Sequence, residues 1–237
     1  MKDYGTLYQH GTLALLVPGL LKGTMKIGEL LKHGDTGIGT GEGLDGELII
    51  LDGKPYQVNG KGKVQIVSKD FTLPFSSVSW AKYQHLVDLE NVDMSDFSKQ
   101  MISLSKSANT FFSIKAQGTF TNIKTRAAKK SEHPYKTLSE TADKQAVFTK
   151  DKVEGTLLGY YAPEIFNGAA VGGFHYHFLS DNHKFGGHVL SFHIEQASVY
   201  AQQFDTLEQH LPVEDKDYMK HDFSDDDVAG SIEKSEK

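Results

Sequence analysis

Between Val171 and Ile194 (VGGFHYHFLSDNHKFGGHVLSFHI) hydrophobic and polar positions fall into a strict pattern. From Phe174 to Phe178 aromatic and imidazole side chains take turns, which is the period of a strand. Phe174, Tyr176 and Phe178 therefore face one way, and His175 and His177 the other. Ser180-Asp181-Asn182-His183-Lys184 is turn chemistry, and Phe185 to Ile194 is a second apolar run. The unit reads as a β-hairpin.

The same reading extends along the chain. Leu13 to Leu21 (LALLVPGLL) predicts a buried helix ending near Pro18. Thr24 to His33 reads as a short helix with Thr24 as its cap, Ile27, Leu30 and Leu31 as its apolar stripe and Gly34 as its stop. Gly34 to Gly46 reads as an irregular glycine-rich loop; it lacks the lysine of a phosphate-binding loop, and no helix pattern follows. Glu47 to Leu51, turned by Asp52-Gly53 into Pro55 to Val58, is a hairpin, and Val64 to Val67 a third strand. Behind a Ser95 cap, Phe97, Met101, Leu104 and Ala108 mark an amphipathic helix. Phe111 to Thr125 alternates as a long strand broken by Gly118, with Arg126 at its end. Residues 127–144 read as a polar connection with a short helix, and Val147 to Tyr161 as one or two strands. Ala197 to Leu211 fits strand or helix equally.

Composition narrows the classes. The chain has 237 residues, of which 38% are hydrophobic and 24% charged, enough for a substantial core. It contains no cysteine, so disulfides, thiolate metal sites and a cysteine nucleophile are excluded. Of the formal charge of −6, −5 comes from Val213 to Lys237, where nine acidic residues meet four lysines. The body is close to neutral and carries no footprint for nucleic acid or an anionic membrane. The Leu13–Leu21 run is too short to span a bilayer, and Asp3 spoils the basic start of a signal peptide, so a cytoplasmic location is expected.

Candidate chemistry centres on the hairpin, which holds five of the chain's eleven histidines. A two-residue loop at Asn182-His183 sets His177 opposite His188 and gathers His175, His177 and His188 on one face. A three-residue loop brings His193 there instead. Either register collects three imidazoles, the donor set of a catalytic divalent metal with an open position. Arg126 is the only arginine beside 24 lysines. Its planar fork can hold a carboxylate or phosphate in two places, which lysine cannot do. Glu47, at the start of a strand, is a carboxylate held at a sheet end.

These residues carry a resemblance. Gly28-Glu29-Leu30-Leu31, His33-Gly34-Asp35 and Leu44-Asp45-Gly46-Glu47-Leu48 resemble the front of the bacterial α-acetolactate decarboxylases. So do Gly159-Tyr160, Pro163-Glu164 and Asn167-Gly168, and above all Gly173 to Phe178 followed by Phe185 to Leu190. The resemblance implies the register with His175, His177 and His188 as metal ligands, with Zn2+ as the metal at one per chain. It implies Glu47, Arg126 and, from the tail, Glu233 as catalytic residues. It also implies an α+β fold, with a larger mixed sheet and packed helices plus a smaller antiparallel β-rich half carrying the three-histidine hairpin. On this basis residues 1–145 form the mixed-sheet half, 146–212 the metal-binding half and 213–237 an acidic tail. The implied activity converts 2-acetolactate to acetoin and CO2 in a homodimer, without nucleic-acid or membrane partners. The alternative is a cupin-like metal-dependent oxygenase or isomerase, whose sites also use a His-x-His strand; the glutamate such sites want soon afterwards is missing between Leu179 and Lys184.

Overall fold

The structure, a computed structural model, describes residues 2–142 and 144–236. Its strands are β1 (Thr6–His10), β2 (Met25–Lys26), β3 (Thr36–Thr40), β4 (Glu47–Leu51), β5 (Lys54–Val58), β6 (Val64–Ile66), β7 (Thr72–Leu73), β8 (Phe75–Ser79), β9 (Gln84–Asp93), β10 (Phe112–Ala127), β11 (Ala146–Ala162), β12 (Gly173–Ser180), β13 (Gly186–Gln203) and β14 (Thr206–His210). The helices are α1 (Leu13–Leu16), α2 (Ile27–Leu30), α3 (Met94–Ser105), α4 (Leu138–Ala142), α5 (Lys216–Lys220) and α6 (Val228–Glu236).

Two sheets organise the α+β fold. A seven-stranded sheet runs β14-β1-β8-β3-β4-β5-β6. It is mixed, because β14 lies parallel to β1 while the other pairs are antiparallel. A five-stranded antiparallel sheet runs β10-β11-β12-β13-β9, and β10 also pairs with β13, so that this sheet closes on itself. Its aromatic faces gather Phe112, Phe120, Tyr176, Phe178 and Phe192 into one buried cluster with Phe97 and Met101 of α3. Edge-to-face ring pairs such as Phe120–Phe178, 5.1 Å between centroids, hold that cluster.

Several elements differ from the sequence pattern for identifiable reasons. The expected helix from Thr24 to His33 shrinks to α2, because Met25 and Lys26 pair instead with Leu73 and Thr72. The glycine-rich stretch contains β3, a fully buried strand between β8 and β4. Gly37 removes the alternating signal there but permits the packing, since a Cβ at that position would stand 2.4 Å from the Ser77 carbonyl oxygen. α3 is capped at Asp93 rather than Ser95 and ends at left-handed Lys106, leaving Leu104 exposed and Ala108 outside the helix. β10 passes Gly118 unbroken; the irregularities are three register shifts against β13 beyond it, between Thr119 and Thr125. The ambiguous segment after Ala197 is strand, completing β13 and forming β14.

The expected division at residues 145/146 falls between β10 and β11, which pair from Phe112↔Tyr161 to Ala127↔Ala146. The chain changes sheet between Ser79 and Gln84 instead, and returns to the first sheet at Thr206. Pairing between distant segments leaves no mark on local periodicity. In the tail, α6 buries Ile232 to 1% exposure, in one hydrophobic cluster with residues that include Leu13, Leu16, Leu44, Phe75, Ala128 and Leu138. Among the described residues, no helix is long and apolar enough to cross a membrane.

Candidate metal centre

The alternation along β12 does what its period requires. Tyr176 and Phe178 enter the aromatic cluster, with Phe174 packed at its edge, and His175 and His177 face the other way. His177 stands opposite His188 on β13, and His188 stands opposite Arg126 on β10. The row Arg126, His188, His177 thus crosses three strands side by side. The register is the one implied by the resemblance, but the loop is longer than two residues. Ser180 N–H donates to the Phe185 carbonyl at 2.9 Å, and Ser180 Oγ accepts from the Lys184 and Phe185 N–H groups at 3.2 and 3.0 Å. Residues 181–184 close the hairpin. His193, the candidate of the other register, lies apart, with Nδ1 2.8 Å from Asp93 Oδ1.

The first sheet completes the site through β4. His177 Nδ1 donates to the Leu48 carbonyl oxygen at 2.9 Å, and Glu47 Oε2 is 3.4 Å from His177 Nε2. Gly46 positions this strand start. Its φ is +67°, a Cβ there would meet the Val58 carbonyl oxygen at 2.3 Å, and its N–H donates to the Ala128 carbonyl at 3.2 Å. That last bond ties the start of β4 to the residues just after Arg126. The site therefore lies on the seam between the sheets.

Arg126 Nη2 lies 3.1 Å from His188 Nε2, and a guanidinium can only donate, so a neutral His188 carries its proton on Nδ1. That Nδ1 is 3.0 Å from His175 Nε2, which accepts. His177 has its proton on Nδ1, held by Leu48, and so also presents a bare Nε2, 3.2 Å from His175 Nε2. Two lone pairs face each other there. An extra proton is disfavoured: burial, the other imidazoles and Arg126 push His175 and His188 well below the ordinary histidine range. Burial, reinforced by Arg126 and opposed by the Leu48 bond, lowers His177 to about 4. Among the described residues these three histidines form the one group whose ligand atoms gather, all within 4.8 Å of one another. Neutral, buried or half-buried, and with ligand atoms this close together, they suit a divalent cation.

A small cavity of about 30 Å³ opens onto this cluster. Glu47, Arg126, His175 and His188 share its wall with Thr40 and Gln145, and Leu13, Leu16, Leu44, Phe75, Ala128 and Leu138 close it. A larger cavity of about 400 Å³ lies between Leu20–Lys22, Tyr135 and Tyr218, but it contains none of the gathered histidines, so the chemistry belongs to the smaller one. Glu233 is exposed on α6 and not among the cavity-lining residues, because the helical period that buries Ile232 and Ser235 turns it outward. Sequence reading missed the Leu48 carbonyl, which has no side-chain signature, and Gln145, whose only signal is its place just before β11.

Comparison with known proteins decides the family. Residues 7–225 match the family model described as alpha-acetolactate decarboxylase. The chain belongs to that family. It is 38% identical to the alpha-acetolactate decarboxylase of Streptococcus thermophilus over all of both chains, and 37% identical to that of Lactococcus lactis subsp. cremoris, over 96% of this chain and 95% of the relative. The crystal structure of alpha-acetolactate decarboxylase from Bacillus subtilis strain 168 superposes with a TM-score of 0.94 at 32% identity, covering 98% of this chain and 99% of that one. Acetolactate decarboxylase family membership displaces the cupin-like alternative.

Proposed function

We propose that the chain is a carboxy-lyase that converts 2-acetolactate to acetoin and CO2, with His175, His177 and His188 holding a divalent cation. The convergence of three neutral imidazoles beside Arg126 and Glu47, in a chain of this family, carries the reading. A cation held there supplies a Lewis acid toward the substrate oxygens next to the departing carboxylate. In the reaction the bond from C2 to the carboxylate breaks, its electron pair passes into the neighbouring ketone to give an enediolate, and a proton returns to C2. Arg126 aims two N–H donors at the carboxylate and sets the bond to be broken. Glu47, buried to 9% exposure and 3.4 Å from His177 Nε2, would hold or relay the returning proton. The apolar wall that includes Leu13 and Leu16 of α1 and Leu138 of α4 keeps water from competing for it.

Zinc as the cation, one per chain, and a homodimeric assembly rest on the family resemblance, and a cytoplasmic location completes the reading. Glu233 belongs to it only through a movement of α6 that turns its carboxylate toward the cavity. The test is direct: acetolactate is added to purified protein, and acetoin is measured with and without chelator. Acetoin formation that chelator abolishes and added divalent metal restores is expected. Absence of acetoin from the metal-loaded protein would refute the reading.

A further inference from the structure

One wall of the cavity carries a polar group that the roles above do not use. Gln145 sits between α4 and β11; its backbone N–H donates to the Ala142 carbonyl at 3.2 Å, and the next residue, Ala146, pairs with Ala127, the neighbour of Arg126. Its side chain lines the same cavity as Arg126, Glu47, His175 and His188. The Oε1 atom is buried and has no hydrogen-bond partner among the described residues. A buried acceptor without a donor is costly, so such a position calls for a reason.

The proposed substrate supplies one. Of the three functional groups of a 2-hydroxy-3-keto acid, the carboxylate and the ketone offer only lone pairs. The hydroxyl alone can donate. Arg126 and a bound cation answer the lone pairs, and neither can accept a hydrogen bond; Glu47, the carboxylate in the same wall, lies 3.4 Å from His177 Nε2 and is assigned to the returning proton, which leaves the Gln145 amide oxygen for the hydroxyl. We propose that Gln145 positions the substrate, with its amide oxygen accepting a hydrogen bond from the 2-hydroxyl group. Together with Arg126 this contact holds two of the substituents on C2 and so orients the carbon that loses carbon dioxide. It also selects for a hydroxyl at that carbon, since a deoxy analogue leaves Oε1 buried and unmatched. The inference rests on the reading given under Proposed function.

The test compares two acids that differ only there, 2-hydroxy-2-methylpropanoate and its deoxy analogue 2-methylpropanoate, by calorimetry on the metal-loaded protein. Wild type is expected to prefer the hydroxy acid. Gln145→Met, similar in length but unable to accept, should narrow that preference by about three- to tenfold while binding of the deoxy acid stays the same. Metal content and thermal unfolding establish that the variant is folded. An unchanged preference, an equal loss of both affinities or equal binding of both acids by wild type would overturn the proposal. Acetoin formation by wild type is read separately. Turnover with an unnarrowed preference removes Gln145 alone, whereas no turnover removes the reading on which it rests.

Discussion

Arg126 Nη2 and His188 Nε2 are 3.1 Å apart, so the chain's only arginine sits at the edge of the histidine cluster rather than on a solvated surface. Its planar fork should matter more than its charge. Arg126→Lys is expected to fold and keep its metal while kcat/KM falls about ten- to a hundredfold, as follows from losing charge-assisted bonds of roughly 1.5–3 kcal/mol each. Steady-state kinetics beside metal analysis check this; near wild-type kinetics would detach Arg126 from the reaction. The histidines divide just as sharply. His188→Ala should lose the metal, because one of three ligands is gone, whereas His193→Ala should retain it, because His193 is committed to Asp93 at 2.8 Å. Elemental analysis of the two purified variants separates them.

At the scale of elements, the seam between the sheets is closed by short helices rather than by either sheet. The cavity onto which the histidines open is about 30 Å³, narrow for a molecule as large as acetolactate. α6 packs behind its wall, with Ile232 in the same buried cluster as Leu13, Leu16 and Leu138, which line the cavity. Ending the chain after Gly230 is expected to lower turnover while leaving metal content intact, since no histidine ligand lies in the tail. Full activity of the shortened protein would show that α6 is only packing. Within the full-length chain, Ile232→Ala should loosen the same helix, at a cost of roughly 2–5 kcal/mol of packing, and appear as faster proteolysis near the C-terminus.

Across the whole molecule, the first and last strands meet at a buried histidine. His10 Nδ1 lies 2.8 Å from His210 Nδ1, and its Nε2 lies 2.8 Å from Thr24 Oγ1. Burial, with the nearby His210 adding to it, lowers His10 from its ordinary 6.5 to about 4. The folded chain keeps His10 neutral where the unfolded chain protonates it, so its contribution is present above pH 6.5 and is lost as pH falls from 6.5 through about 4. His10→Asn should therefore show a shallower fall in urea midpoint between pH 7 and pH 5 than wild type; parallel slopes would contradict the assignment.

The amino-acid sequence by itself determined which faces the hairpin residues take, because alternation follows from the strand backbone alone, and it marked His175, His177, His188, Arg126 and Glu47 as chemically suitable. It could not choose between the two registers from turn chemistry, since the loop closes through Ser180 and Phe185 rather than as a two-residue turn. Only the tertiary structure decided that residues 206–210 lie parallel to residues 6–10, that Thr36–Thr40 is a central strand, and that the Leu48 carbonyl sets the His177 tautomer. Each of these depends on a partner far away in the chain. It likewise decided that Ile232 rather than Glu233 faces the core, because a helix's inward side is chosen by what it packs against.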